Sequence, residues 1–190
     1  METDRFYDYV LITDPNYKNV ITEIIYTDVL FKVGENNSRF NTNLCIFSLF
    51  SKRIRKVMKD SFKNGTPVEE LEFKEIDADD FSLLHELIIK GQIKVVPKNA
   101  LSLLRMGTFF EIDCLVNFLT KMIEEDIEFL ESVDLFIFSF ESQRKSLIAT
   151  ARKRIRELRE APFFSESLEK YISMGAFESL LSTKTIALTV

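Results

Sequence analysis

The run from Thr27 to Leu87 constrains this chain most. Asp28-Val29-Leu30-Phe31-Lys32-Val33 is a β-rich run, Gly34-Glu35-Asn36-Asn37 is a turn, and Ser38-Arg39-Phe40-Asn41-Thr42 reads as the return strand of a hairpin. Helical spacing follows at once. Asn43 to Leu49 mixes apolar and polar residues, and Ser51 is a suitable N-cap for a helix over Lys52–Phe62. On that helix Ile54, Val57, Met58 and Phe62 recur at i, i+3, i+4 and i+8, which predicts one apolar stripe. Lys63-Asn64-Gly65-Thr66-Pro67 closes it. Leu71 to Ile76 then nearly alternates, as a half-buried strand does.

The same pattern continues along the chain. Asp77 or Asp79 caps a helix over Asp80–Lys90, whose apolar face is Phe81, Leu84, Leu87 and Ile88, and Gly91 ends it. Gln92–Val96 is a short strand, Pro97 opens a helix through Phe109, and Ile112–Glu125 is its partner. Ile148, Ala151, Ile155 and Leu158 share a helical face. Pro162 breaks the chain, and Ser165–Met174 and Phe177–Leu181 are two short final helices. Residues 1–24 are less regular. Tyr9-Val10-Leu11-Ile12 reads as a short strand, Asp14-Pro15-Asn16 as a turn, and Asn19–Ile25 as one or two helical turns. The order gives an α+β fold in which a small sheet is covered by helices, followed by more helices.

Composition removes several function classes. Only 5 Gly and 4 Pro stand in 190 residues, so few loops are expected and no glycine-rich phosphate loop is present. The 18 Phe fall largely inside periodic segments, which reads as core filling. Two cysteines and one histidine do not make a Cys/His zinc site. Cys45 and Cys114 sit among apolar residues and are expected to be buried free thiols in a reducing compartment. His85 has no nucleophile or orienting acid near it in sequence and reads as a structural histidine. Adjacent acids such as Glu69/Glu70, Asp79/Asp80 and Glu124/Glu125 diverge on a helix and do not form a two-carboxylate site. No metal, cofactor or catalytic residue is expected. A net charge of −5 argues against a general nucleic-acid binder, although Lys52-Arg53/Arg55-Lys56 and Arg152-Lys153-Arg154/Arg156/Arg159 are basic clusters. Each reads first as the polar face of an amphipathic helix. No apolar stretch approaches a membrane span and no leader is visible, which reads as soluble and intracellular, cytoplasmic or nuclear.

From Thr27 to about Met122 the chain resembles the BTB/POZ domain. The residues that carry the likeness are the Asp28-Val29 strand with Phe40 ending the hairpin, and Ser51 between two helices. The run Leu71-Glu72-Phe73-Lys74-Glu75-Ile76-Asp77-Ala78-Asp79-Asp80-Phe81 and the helix-ending Gly91 continue it. The tail, with Ala151-Arg152-Lys153-Arg154-Ile155, Phe164-Ser165 and Phe177 to Ser182, resembles the start of the helical BACK extension. The resemblance implies an N-terminal segment over 1–24 that serves dimerisation, a BTB/POZ domain over 25–125, and a BACK-like extension over 126–190 that continues in a longer protein.

The function this implies is a non-enzymatic interaction module that forms a homodimer or higher oligomer and acts as an adaptor for a cullin-RING ubiquitin ligase. The alternative is a scaffold that binds no cullin, and a lesser one is a nucleic-acid-associated factor using the basic helices. The cullin-facing loop maps onto Met58, Phe62, Lys63 and Asn64, where the apolar residue of the family's apolar-x-Glu motif is present and the Glu is replaced by Asn64. A family pocket maps onto Asp28 and Asn43. Asn43 stands where the family usually has His, and Ile89 where it usually has Tyr. The substrate protein would be chosen by the tail or by sequence past Val190.

Overall fold

A computed structural model of the chain describes residues 7–10 and 27–157. The chain divides into two compact units, Met1–Phe118 and Leu119–Val190.

The first unit is built on a three-stranded mixed sheet. Strands β2 (Val29–Val33) and β3 (Ser38–Thr42) form the antiparallel hairpin, with Phe31 opposite Phe40. Val29, Phe31 and Val33 are buried and the residues between them are half-buried, the period of two that a strand imposes. Strand β4 (Glu70–Phe73) lies parallel on the other side of β2, giving the order β3-β2-β4. A parallel neighbour requires a crossover. Helices α1 (Leu44–Phe50) and α2 (Lys52–Asn64) provide most of it. Strand β4 is shorter than the alternation of Leu71–Ile76 suggests: residues 74–76 turn so that Asp77 can cap the next helix.

That helix, α3 (Ala78–Lys90), starts two residues earlier than the predicted Asp80. Asp77 Oδ1 accepts the amides of Asp79 and Asp80 at 2.9 and 3.1 Å, and Gly91 ends the helix in the left-handed region at φ 66°. Strand β5 (Gln92–Val95) pairs antiparallel with β1 (Tyr7–Val10) in a second, two-stranded sheet, with Tyr7 opposite Val95. The predicted strand at Tyr9–Ile12 thus lies at Tyr7–Val10. Leu11, Ile12, the turn at Asp14–Asn16 and the turns at Asn19–Ile25 lie outside the described residues. Helices α4 (Pro97–Phe109) and α5 (Asp113–Glu125) follow. Asn99 Oδ1 accepts the Val96 amide at 2.9 Å where α4 begins. Gly107 lets the two helices approach: a Cβ there would lie 3.2 Å from Leu115 and Val116.

The core of this unit is aromatic. Phe81, fully buried on α3, has Phe31 at 5.9 Å between ring centroids, Phe40 at 4.8 Å, Phe47 at 6.1 Å and Phe110 at 5.6 Å. Phe73 packs edge-on against Phe31 and Phe110. One helix is thereby tied to both hairpin strands, α1 and the α4–α5 turn. Offset and edge-to-face pairs add to the burial term.

In the second unit, α6 (Ser132–Glu141) packs on α7 (Lys145–Glu157). Leu135, Phe136, Ile137 and Phe138 are buried on α6, and Leu147, Ala151 and Ile155 on α7. Ile148, placed on the inner face by its spacing, is only half-buried, because Leu147 takes the i, i+4, i+8 row with Ala151 and Ile155. Leu158 and the helices at Ser165–Met174 and Phe177–Leu181 lie outside the described residues.

Candidate functional site

Helix α2 begins at a buried cap. The Ile54 amide donates to Ser51 Oγ at 3.0 Å, and Ser51 Oγ donates to the Phe110 carbonyl at 2.6 Å. One hydroxyl therefore starts the helix and fastens it to the α4–α5 turn, 59 residues away. Arg55 fixes the other neighbour. Its Nε donates to the Ser48 carbonyl at 3.0 Å and its Nη2 to the Leu49 carbonyl at 2.9 Å, capping the end of α1. Arg53 lies over the Phe109 ring, 3.9 Å from its centroid, and 3.4 Å from Glu75. Lys52 pairs with Asp113. The cations at 52, 53 and 55 are thus engaged within the first unit.

The predicted apolar stripe divides along its length. Ile54 is fully buried, Val57 and Met58 are half-buried, and Phe62 is 76% exposed. Eight residues at about 100° each carry Phe62 roughly 80° away from Ile54, enough to leave the core. The loop expected at Phe62, Lys63 and Asn64 is in fact helix. Alpha-2 runs to Asn64 and stops at Gly65, which takes φ 66° and donates its amide toward Phe62 and Ser61 carbonyls. Met58, Phe62, Lys63 and Asn64 therefore lie on one helix, and Phe62, Lys63 and Asn64 are exposed. Sequence reasoning missed Leu49, 65% exposed at the end of α1, whose carbonyl accepts from the Arg55 guanidinium. Its signal was present: Leu44, Ile46 and Phe47 already fill the inner face of that short helix.

Asp28 and Asn43 come together at the start of α1. The Leu44 amide donates to Asp28 Oδ1 at 2.7 Å and the Ile46 amide to Asn43 Oδ1 at 3.0 Å. Two side chains satisfy two of the open donors of one helix, and a negative charge sits at its positive end. The cysteines need correcting. Both are free, and both Cys45 and Cys114 are exposed. Each is one residue from a buried leucine, and one residue turns a helix by about 100°.

His85 is half-buried on α3, with Nε2 3.2 Å from the Asn41 carbonyl and its ring 5.5 Å from that of Phe40. Burial holds its pKa below the ordinary 6.5, opposed in part by the bond to Asn41. As pH falls, the unfolded chain takes up this proton first. The stabilisation is complete above pH 6.5 and is lost as pH falls through the lower folded value. His85→Gln should therefore show a smaller drop in urea midpoint between about pH 7.5 and 5.5 than the parent. Equal drops would assign the acid sensitivity elsewhere.

Among the described residues no three His, Cys, Asp or Glu side chains gather where a metal ion could sit, and no helix is long and apolar enough to cross a membrane. An open hollow lined by Gly107, Thr108, Glu111, Asp113, Val116 and Asn117 lies at the α4–α5 turn, with Asp113 paired to Lys52.

Comparison with known proteins gives a family. A search of curated proteins found no match. Among solved structures, the BTB domain of zebrafish PATZ1 is similar at 19% identity and a TM-score of 0.43, over 53% of this chain and 77% of that one. The family model for the BTB/POZ domain matches residues 17–127. These residues hold the mixed sheet, its helices, the Phe81 core and the exposed end of α2. More than half of the chain is matched, and the chain belongs to the BTB/POZ domain family.

Proposed function

We propose that this chain is a self-associating adaptor whose partner docks on the C-terminal end of α2. The family's domains are non-catalytic interaction modules, and that much holds for this chain. The observation that carries the finer reading is Phe62: a 76% exposed phenylalanine on a helix capped at both ends. Leaving such a ring in water forgoes about 2 kcal/mol of burial, and a partner's pocket would recover it. In the adaptor reading the partner is a cullin, Phe62 is the anchor, and Met58, Lys63 and Asn64 flank it.

Self-association is assigned to residues 1–24. The pairing of Tyr7–Val10 with Gln92–Val95 supports this, since the same ladder can be made between two copies. Residues 25–125 would be the docking body. Residues 126–190 would be a BACK-like extension, with α6 packed on α7 in support, and would hold the substrate protein in the cytoplasm or nucleus. A second reading, a scaffold without a cullin, is favoured by Asn64, which puts an amide where the adaptor motif ends in Glu.

Capture by the N-terminal domain of a BTB-binding cullin tests the adaptor reading. The parent chain is expected to be retained and Phe62→Asp to be lost, with unchanged helicity. No capture of the parent would leave the scaffold reading, and equal capture of both would move the dock away from α2.

A further inference from the structure

The outer face of α2 carries a row of like charge. Lys52, Lys56, Lys59 and Lys63 stand at i, i+4, i+7 and i+11, within about 60° of arc and along about 16 Å of helix. Only Lys52 has an ion pair among the described residues; Lys56, Lys59 and Lys63 are exposed without one. The row does not serve the helix. Like charges at i, i+3 and i, i+4 repel. Lys52 and Arg53 occupy a first turn that holds no acid, opposing the helix dipole. In a chain of net charge −5, four lysines against one acid, Asp60 at about 40° from Lys56, is segregation on one face and not average composition.

Two exposed apolar residues lie near this row. Leu49, 65% exposed, accepts from Arg55 Nη2 through its carbonyl, and Phe62, 76% exposed, lies two helical turns beyond Arg55 on α2. We propose that this face docks an acidic amphipathic helix of a partner protein: carboxylates along the Lys56–Lys59–Lys63 row, with apolar side chains at Leu49 and Phe62. The inference rests on the reading that this end of α2 meets a partner, but not on the partner being a cullin. It goes further in setting the partner's charge, since Lys56, Lys59 and Lys63 make this dock basic. A protein helix fits better than nucleic acid. The chain as a whole repels a polyanion, and the exposed Leu49 and Phe62 offer apolar contact that an amphipathic helix uses and a phosphate backbone does not.

The test uses the full chain and labelled helical peptides read by fluorescence anisotropy. The peptides carry two leucines two turns apart, flanked by Glu, by Gln or by Lys. The Glu peptide is expected to bind at least about tenfold more tightly than the Gln peptide, with the Lys peptide weakest, as three screened ion pairs acting together would give. The preference should shrink below about threefold in the Lys56→Gln/Lys59→Gln/Lys63→Gln variant and at about 0.3 M salt. All three lysines are exposed, and an unchanged urea midpoint shows the variant is folded. Phe62→Ser should weaken all three peptides. Equal binding of the Glu and Gln peptides would overturn the proposal. So would an undiminished preference in the triple variant, or tighter binding of a DNA duplex or phosphatidylserine vesicles than of the Glu peptide. Cullin capture separates the two readings. Capture lost in Phe62→Asp but kept in the triple variant overturns the acidic partner and leaves the adaptor. A Glu preference without cullin capture supports the acidic partner and ends the adaptor reading.

Discussion

Replacing Phe81 by alanine is expected to destabilise the BTB/POZ unit by about 3–5 kcal/mol, a large share of the total for a domain of this size. The side chain is fully buried, and its ring meets Phe31 of β2, Phe40 of β3, Phe47 of α1 and Phe110 at the α4–α5 turn. Truncation leaves a ring-sized void that four separate elements would have to close together, and close packing resists that. Phe81→Leu retains most of the apolar volume and should cost much less. Urea melts give both numbers from the midpoint, provided the slope is unchanged. A loss below about 1 kcal/mol for the alanine variant would show that the aromatic cluster is not what joins the sheet to its helices.

The second large effect is expected at Ser51. Ser51→Ala removes the cap of α2 and leaves the Phe110 carbonyl and the Ile54 amide buried without their partner. Loss of an N-cap costs about 1 kcal/mol, and a buried orphan group roughly 1–3 kcal/mol more, so about 2–4 kcal/mol is expected in all. Asn43→Ala is the control. It removes the cap of α1 at a half-buried position where Asp28 still accepts the Leu44 amide, and should cost only about 1 kcal/mol. Equal losses at the two positions would mean that the bond to the α4–α5 turn adds nothing.

These two residues show what the sequence made legible. Phe81 was placed on the apolar face of its helix by spacing, Gly91 marked that helix's end, and Asp77 was one of two caps offered for its start, because caps and periodicity are local properties. Ser51 was legible as a cap for the same reason. Its bond to Phe110 was not, since no local pattern joins residues 59 apart. The cysteines failed because apolar neighbours in sequence are not neighbours in space on a helix. At the candidate site, Met58 and Phe62 were read from one stripe. Only the accumulated turn of the helix separates the half-buried methionine from the exposed phenylalanine. In the sequence, Lys52, Arg53, Arg55 and Lys56 group as one basic cluster; the row that adds Lys59 and Lys63 stands out only once Lys52, Arg53 and Arg55 are seen to be paired.

The central claim is that this chain works by associating, first with itself. Light scattering on the purified 190-residue chain at micromolar concentration tests that most directly. The expected mass is at least twice the 22.2 kDa of one chain, falling to that of one copy when residues 1–24 are removed. A mass of 22.2 kDa for the full chain, unchanged on raising its concentration about tenfold, would contradict it.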